Sequence, residues 1–248
     1  MKPIYFICLF LVVASCKKTE QSLTKITAKN IVVDSTLVAS PTIENVISPY
    51  KEKLVGEMER VLTYSAIDLT KQSTQLQSTL GNLVADLSVE MANPLFTKTT
   101  TNTIDFAMFN SGGLRASIAQ GNVTKESAFK LMPFDNELVV VTLTGDKIDE
   151  LIQYFIRNQS AHPLSKNIAL LITENGYDLK IGGKKFDSNK IYNVLTSDYL
   201  QTGGDGMDFF KNPKQLTNLN YKVRDAVIDY FEKMDTLQVA IDNRVKIE

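Results

Sequence analysis

The sequence predicts an α+β fold, a mixed β-sheet with packed helices, and three observations carry that prediction. Apolar residues recur at three- and four-residue spacing in four separated segments, near 40–62, 80–94, 144–158 and 221–234. Between them lie short runs rich in β-branched and aromatic residues. The two kinds interleave without the strict rhythm of a parallel strand-helix-strand sheet. With 44% hydrophobic residues in 248, the chain has enough apolar surface for a sizeable core.

From the N-terminus, "MKPIYFICLFLVVASCKK" places Lys2 before an apolar run from Ile4 to Ala14, with small residues directly ahead of Cys16. This is the layout of a bacterial secretory signal, and Val13-Ala14-Ser15-Cys16 resembles a lipobox. The run is shorter than the roughly 20 residues of a membrane-spanning helix. The expectation is a lipoprotein signal over 1–15, a lipidated Cys16, a tether over 16–39 and a folded domain over 40–248, lipid-anchored in the bacterial cell envelope and facing the periplasm or the surface. Residues 17–39 lack aromatics and are rich in Ser, Thr and Lys; as a flexible chain they reach about 25 Å. Ile31-Val32-Val33 is the one stretch there that reads alternatively as a short docked strand.

Ser40 and Pro41 suit a helix start, and Ile43, Val46, Ile47, Tyr50, Leu54, Val55, Met58, Val61 and Leu62 continue its apolar face. A second helix follows in "TLGNLVADLSVEMAN", expected to end at Pro94. "TIDFAMFN" (103–110) and "LVVVTL" (138–143) read as strands, and "TGDKIDELIQYFIRN" (144–158) as a helix. "NIALLIT", "GYDLKIG" and "KIYNVLTSDYL" add strands with turns at "NGYD" and "GGKK". A helix over 221–234 and a closing strand in "LQVAIDNRVKI" complete the pattern.

Composition narrows the function. The formal net charge is −1, and removing Lys2 with the signal takes the basic count from 27 to 26 against 28 acidic residues, a net charge of −2. That supplies no basic face for nucleic acid. Cys8 would leave with the signal, so no intramolecular disulfide is expected. His162 is the only histidine, which excludes an imidazole- or thiolate-rich metal site within one chain, and its setting in "NQSAHPLSK" reads as a solvated loop. No catalytic residue and no metal ligand is therefore assigned.

Three stretches carry candidate binding chemistry. "FNSGGLRASIAQG" (109–121) follows a strand, so its glycines let backbone N–H groups converge on an anion while Arg115 offers a fixed cationic fork. "LMPFDNELVVV" sets Phe134 and Asn136 before a strand, an aromatic face and an amide suited to a flat heterocycle. "SDYLQTGGDGMDFF" sets Tyr199 six residues before Asp205, with glycines that let the chain fold back. A carboxylate there suits ribose hydroxyls. Each stretch taken alone also reads as an ordinary turn with a core aromatic or a surface charge.

Together, Asn110-Ser111-Gly112-Gly113-Leu114-Arg115, Pro133-Phe134-Asp135-Asn136 and Tyr199 with Gly203-Gly204-Asp205-Gly206 resemble, in order and spacing, the C-terminal substrate-binding domain of 5'-nucleotidases. "LGNLVADL" and "LTGDKIDELI" resemble its flanking helices, and the resemblance spans roughly residues 40–248. It implies a base held between Phe134 and Tyr199, Asn136 at the base edge, Asp205 at the ribose, and Asn110, Gly112 and Arg115 near sugar and phosphate, the glycines making room for the nucleoside. Two departures stand out: only Lys71 occupies the region where the family carries an arginine, and only the signal and tether precede residue 40, where full enzymes have a di-metal phosphoesterase domain. The expectation is a nucleoside- or nucleotide-binding domain that supports nucleotide hydrolysis with a separate metallophosphatase subunit, which would carry the metals. The alternatives are a non-catalytic binding or sensing lipoprotein, and a structural domain whose two aromatics are core.

Overall fold

The computed structural model describes residues 23–248; the expected signal and Cys16 lie outside the described residues. The chain divides between Ser48 and Pro49 into two units. In the first, residues 23–39 are exposed, with a turn in which Asp34 accepts from the backbone N–H and hydroxyl of Thr36 at 2.9 and 2.6 Å. Ile31-Val32-Val33 forms no strand and is exposed. Helix α1 (Pro41–Met58) has the periodicity the sequence shows, yet it buries no residue: Ile43, Val46, Ile47, Tyr50, Leu54 and Val55 are all exposed.

The second unit continues with β1 (Val61–Ser65), α2 (Thr79–Thr100), β2 (Phe106–Ala107), β3 (Gly121–Thr124), α3 (Lys125–Leu131), β4 (Glu137–Thr144), α4 (Gly145–Asn158), β5 (Ile168–Thr173), β6 (Gly176–Ile181), β7 (Lys184–Lys185) and β8 (Ile191–Ser197). It closes with α5 (Asp198–Gln201), β9 (Gln215–Lys222), α6 (Val223–Lys233), β10 (Thr236–Leu237) and β11 (Val245–Ile247). Among the described residues these strands make three sheets, ordered β10-β1-β3, β11-β5-β6-β7 and β2-β8-β4-β9. The mixture of parallel and antiparallel pairs fits the expected α+β class.

The last sheet lies in the core of the second unit. Every residue of β4 from Leu138 to Leu143 is buried. Successive strand residues point to opposite faces, so both faces are covered, and the near-continuous apolar run LVVVTL follows from that. Helices α2, α4 and α6 supply the cover with Leu80, Leu83, Val84, Leu87, Ile148, Leu151, Phe155, Val227 and Phe231.

Three expectations change. Val61 and Leu62 leave the helix and start β1, because their segment pairs with Thr124 and Val123 across β3 instead. Pro94 does not end α2; it lies exposed on the solvent side, where the carbonyl it cannot pair with is open to water, while Ala92 and Phe96 keep the opposite face buried. The helix stops at Thr101, whose left-handed φ of 63° turns its N–H back to the Thr97 carbonyl. The run 103–110 contributes only two strand residues, Phe106 and Ala107, to the sheet.

The topology decides where loops meet. β2 is parallel to β8, with Ala107 beside Leu195, and β4 is antiparallel to β8, with Leu138 beside Ser197. The segment after β2, the segment before β4 and the segment after β8 therefore emerge at one end of one sheet.

Candidate functional site

All seven candidate residues sit at that end. Asn110, Gly112, Arg115, Phe134, Asn136, Tyr199 and Asp205, with Gly113, line one cavity of about 320 Å³. Phe134 and Tyr199 are each 44% exposed, so neither ring is spent in the core.

Local interactions set each wall. After β2 the chain makes a single turn of tight helix, Ser111–Gly113, with Gly113 N–H closing on the Asn110 carbonyl. Arg115 anchors its backbone N–H to the Leu131 carbonyl at 2.9 Å, returns one guanidinium N–H to the Gly112 carbonyl at 3.3 Å and lies over the Phe134 ring, 5.9 Å from its centroid. The cation is thus held across the aromatic face, a weak contact at an open site.

The Phe134 wall depends on a residue that sequence reasoning missed. Arg224, from α6, donates to the Phe134 carbonyl at 3.4 Å, pairs with the Asp135 carboxylate and lies 4.5 Å over the Phe129 ring. Arg224, with Lys222 beside it, holds the Asp135 carboxyl below its ordinary range. The signal was available only as an arginine at the start of a helix some 90 positions further on, and no pattern in the sequence links the two.

The third wall is built around Asp205. Its Oδ1 accepts from the Tyr199 hydroxyl at 2.7 Å and its Oδ2 from the Asn110 amide at 2.6 Å. The hydrogen bond and charge of Asp205 push the Tyr199 phenol above its usual pKa, so the proton stays on the tyrosine and points at the carboxylate. The backbone carbonyl of Asp205 accepts from the Tyr154 hydroxyl at 2.8 Å. Asp205 itself has φ of 53°, and Gly203 and Gly206 on either side have φ of 92° and 72°. Tyr199 is fixed from its own end, because Asp198 Oδ1 accepts from the N–H groups of both Tyr199 and Glu137, joining the start of α5 to the start of β4.

Here the expected use of the glycines is corrected. A Cβ on Gly204 would stand 2.5 Å from the Tyr199 ring, and one on Gly203 would stand 2.1 Å from the Lys211 side chain. Gly204 makes room for the protein's own Tyr199 and Gly203 for Lys211, whereas a Cβ on Gly206 would meet nothing within 4 Å. His162 also departs from expectation: it is 6% exposed, with Nδ1 accepting from the Ser111 N–H at 3.1 Å.

Residues 55–212 match the family described as 5'-nucleotidase, C-terminal domain. This chain belongs to that family. Protein UshA of Escherichia coli is 23% identical to this 5'-nucleotidase C-terminal domain chain over 204 residues, covering 79% of the chain and 35% of UshA. Protein 5NUC of Lutzomyia longipalpis is 24% identical over 251 residues, covering 89% of the chain and 44% of its own length. Among solved structures, the 5'-nucleotidase precursor from Thermus thermophilus superposes with a TM-score of 0.66 at 19% identity, over 83% of the chain and 43% of that protein. The Haemophilus influenzae NAD nucleotidase NadN gives 0.61 at 19% identity, over 84% and 41%. These structural likenesses show the fold, and the nucleotidase domain chain spans less than half the length of each relative.

Among the described residues no group of three or more His, Cys, Asp or Glu side chains is placed to hold a metal. The single imidazole has Nδ1 committed to Ser111.

Proposed function

We propose that this domain binds a nucleoside or nucleotide in the cavity at the end of the central sheet, and that it supports nucleotide hydrolysis together with a separate metal-dependent phosphoesterase subunit. The observation that carries the reading is the exposure of Phe134 and Tyr199 on one cavity whose remaining wall is Asp205, Asn110, Asn136 and Arg115. Two half-exposed rings offer faces to a base, since stacking tolerates any heterocycle. The Asn136 amide makes no side-chain bond that competes for a base edge among the described residues, and Asp205 keeps free lone pairs on both oxygens beside Tyr199 and Asn110 for sugar hydroxyls. Arg115, lying across Phe134, can swing toward a phosphate once a base takes the ring face. The role of this chain is positioning: it holds the substrate while the partner supplies metal, Lewis acid and nucleophile.

The test is the melting temperature of the purified chain with millimolar adenosine, AMP, UMP or UDP-glucose, alongside Tyr199→Ala. A ligand at about 100 times its Kd stabilises by about 2.7 kcal/mol, a rise of several degrees in a domain this size. The expected result is a rise with at least one ligand that disappears in Tyr199→Ala; no rise with any of them overturns the reading and favours a structural role.

The partner and the anchor are proposed from sequence and belong to the same experiment at the membrane. Chain extracted from its native membrane is expected to carry metal-dependent phosphoesterase activity through purification, and Cys16→Ser to release it from the membrane fraction. Purified chain without that activity, yet with a ligand-dependent rise in melting temperature, supports the sensing alternative instead.

A further inference from the structure

His162 stands behind the cavity and touches two of its walls. It follows α4 in the segment Gln159–Pro163, and this segment is pinned against the extension of β2: Phe109 N–H donates to the Pro163 carbonyl at 2.9 Å, and Met108 bridges Leu164. The ring packs beside Tyr154 and Phe155 of α4, with centroids 5.7 and 6.3 Å away. Through its Nδ1 it accepts the Ser111 N–H, the first of the turn that carries Gly112 and Gly113 into the cavity. Through Tyr154, whose hydroxyl holds the Asp205 carbonyl, it is coupled to the opposite wall.

The chemistry of that arrangement is one-sided. An imidazole that accepts at Nδ1 carries its single proton on Nε2, and His162 Nε2 is buried with no partner among the described residues. A second proton has only Nδ1 to occupy. There it would turn the acceptor into a donor aimed at another donor, the Ser111 N–H, and place a cation in a site closed to water. We propose that His162 is a proton-responsive positioning residue, which when neutral holds the Ser111–Gly113 turn in its ligand-lining form and when protonated on Nδ1 releases that turn and weakens binding. The consequence for affinity rests on the cavity being the nucleotide site.

The surroundings fix the direction. The Asp205 carboxylate, on the 204–206 turn, favours the protonated ring; burial opposes it more strongly, so the imidazole is held below its ordinary pKa. From α4 the titratable neighbour is the Tyr154 phenol, itself pushed up by burial and then by Asp205, and therefore neutral across the acid range. From α2, Gly81 lies where an added Cβ would stand 3.5 Å from the Pro163 ring, and it brings no charge. The Arg244 group, with Asp86 and Asp242, reaches the same segment at the Leu164 carbonyl. A ligand that needs the turn in place binds the neutral form better, so affinity is full above the folded pKa and falls as pH drops through it, by at most tenfold per pH unit.

The experiment follows backbone amides of the purified chain by ¹⁵N NMR and adenosine affinity by calorimetry between about pH 4.5 and 8, the span over which a histidine changes charge. Adenosine is the probe because it carries no phosphate to titrate. The expected result is that the Ser111, Gly112 and Gly113 amides move with the midpoint of the His162 ring, and that adenosine binding weakens along the same curve. His162→Asn, whose amide oxygen can still accept from Ser111, is expected to keep the affinity near neutrality within about threefold and to lose the acid limb; His162→Leu is expected to bind weakly at every pH. Turn amides that stay still while His162 titrates, a ring that never titrates in this range, or an acid limb unchanged in His162→Asn would each overturn the proposal. If adenosine binds at no pH, the nucleotide reading fails on its own, and the amide titration of the unsubstituted protein still decides whether His162 controls the turn.

Discussion

Gly204 and Gly206 lie two residues apart in one turn and constrain it for different reasons. Gly206 has a left-handed φ of 72° and open space where a side chain would go, whereas Gly204 has the Tyr199 ring 2.5 Å from its missing Cβ. Alanine at Gly206 therefore meets a backbone penalty of about 1–2 kcal/mol and leaves the tyrosine alone. Alanine at Gly204 is a steric insertion against both the ring of Tyr199 and its backbone carbonyl, 2.7 Å from the added Cβ, so it costs about 1–3 kcal/mol and displaces the tyrosine. Both variants are expected to melt several degrees lower, but only Gly204→Ala is expected to lose the ligand-dependent rise in melting temperature. Equal ligand responses in the two variants would show that the position of Tyr199 does not matter. The sequence displayed all three glycines and the aspartate and so pointed at this turn, but it gave no sign that Gly203 and Gly204 clear Lys211 and Tyr199 while Gly206 serves the backbone alone. That information lies in a contact between residues brought together by the fold.

At the scale of elements, the parts that were legible in the sequence share one property, a pattern set by burial. β4, covered on both faces, reads as LVVVTL, and the hairpin of β5 and β6 announces itself through alternating residues around Asn175-Gly176. The parts that were not legible lie where burial is one-sided or absent. β9 pairs only with β4, at the sheet's edge, and its residues QLTNLNYK keep a mixture of exposed and half-buried positions with no apolar alternation to find. α1 shows the converse: its apolar residues keep a helical period yet none of them is buried, so the pattern revealed the helix where burial did not set it. Pro94 was overridden because a proline costs least where the carbonyl it orphans can reach water.

At the scale of the whole molecule, a buried cation ties together segments far apart in sequence, beside the bonds of Gln77 and Asn82 to the same C-terminal segment. Arg244 is 4% exposed and joins Asp86 of α2 at 2.9 Å, Asp242 at 2.7 Å and the Leu164 carbonyl at 2.7 Å, fastening the C-terminal segment to the helix and to the loop behind the cavity. Arg244→Ala strands two carboxylates. Because both of them keep some contact with water, the loss is expected to fall short of that for a fully buried pair, at about 2–3 kcal/mol, read as a lower urea midpoint with an unchanged slope. A midpoint within error of the unsubstituted protein would show the cluster to be dispensable. Sequence order also hid how the site assembles. The candidate residues were identifiable as motifs, but their meeting follows from β2 running with β8 and β4 running against it. The bond from Asn110 to Asp205 closes a loop of 95 residues, and Glu137 to Asp198 one of 61. During synthesis Phe134 leaves the ribosome before Tyr199 exists, and Arg224, which holds the Phe134 carbonyl, follows later still, so a chain truncated before Tyr199 lacks one wall of the cavity. A ligand of the kind proposed is therefore expected to rescue a damaged variant only once β2, β4 and β8 have paired.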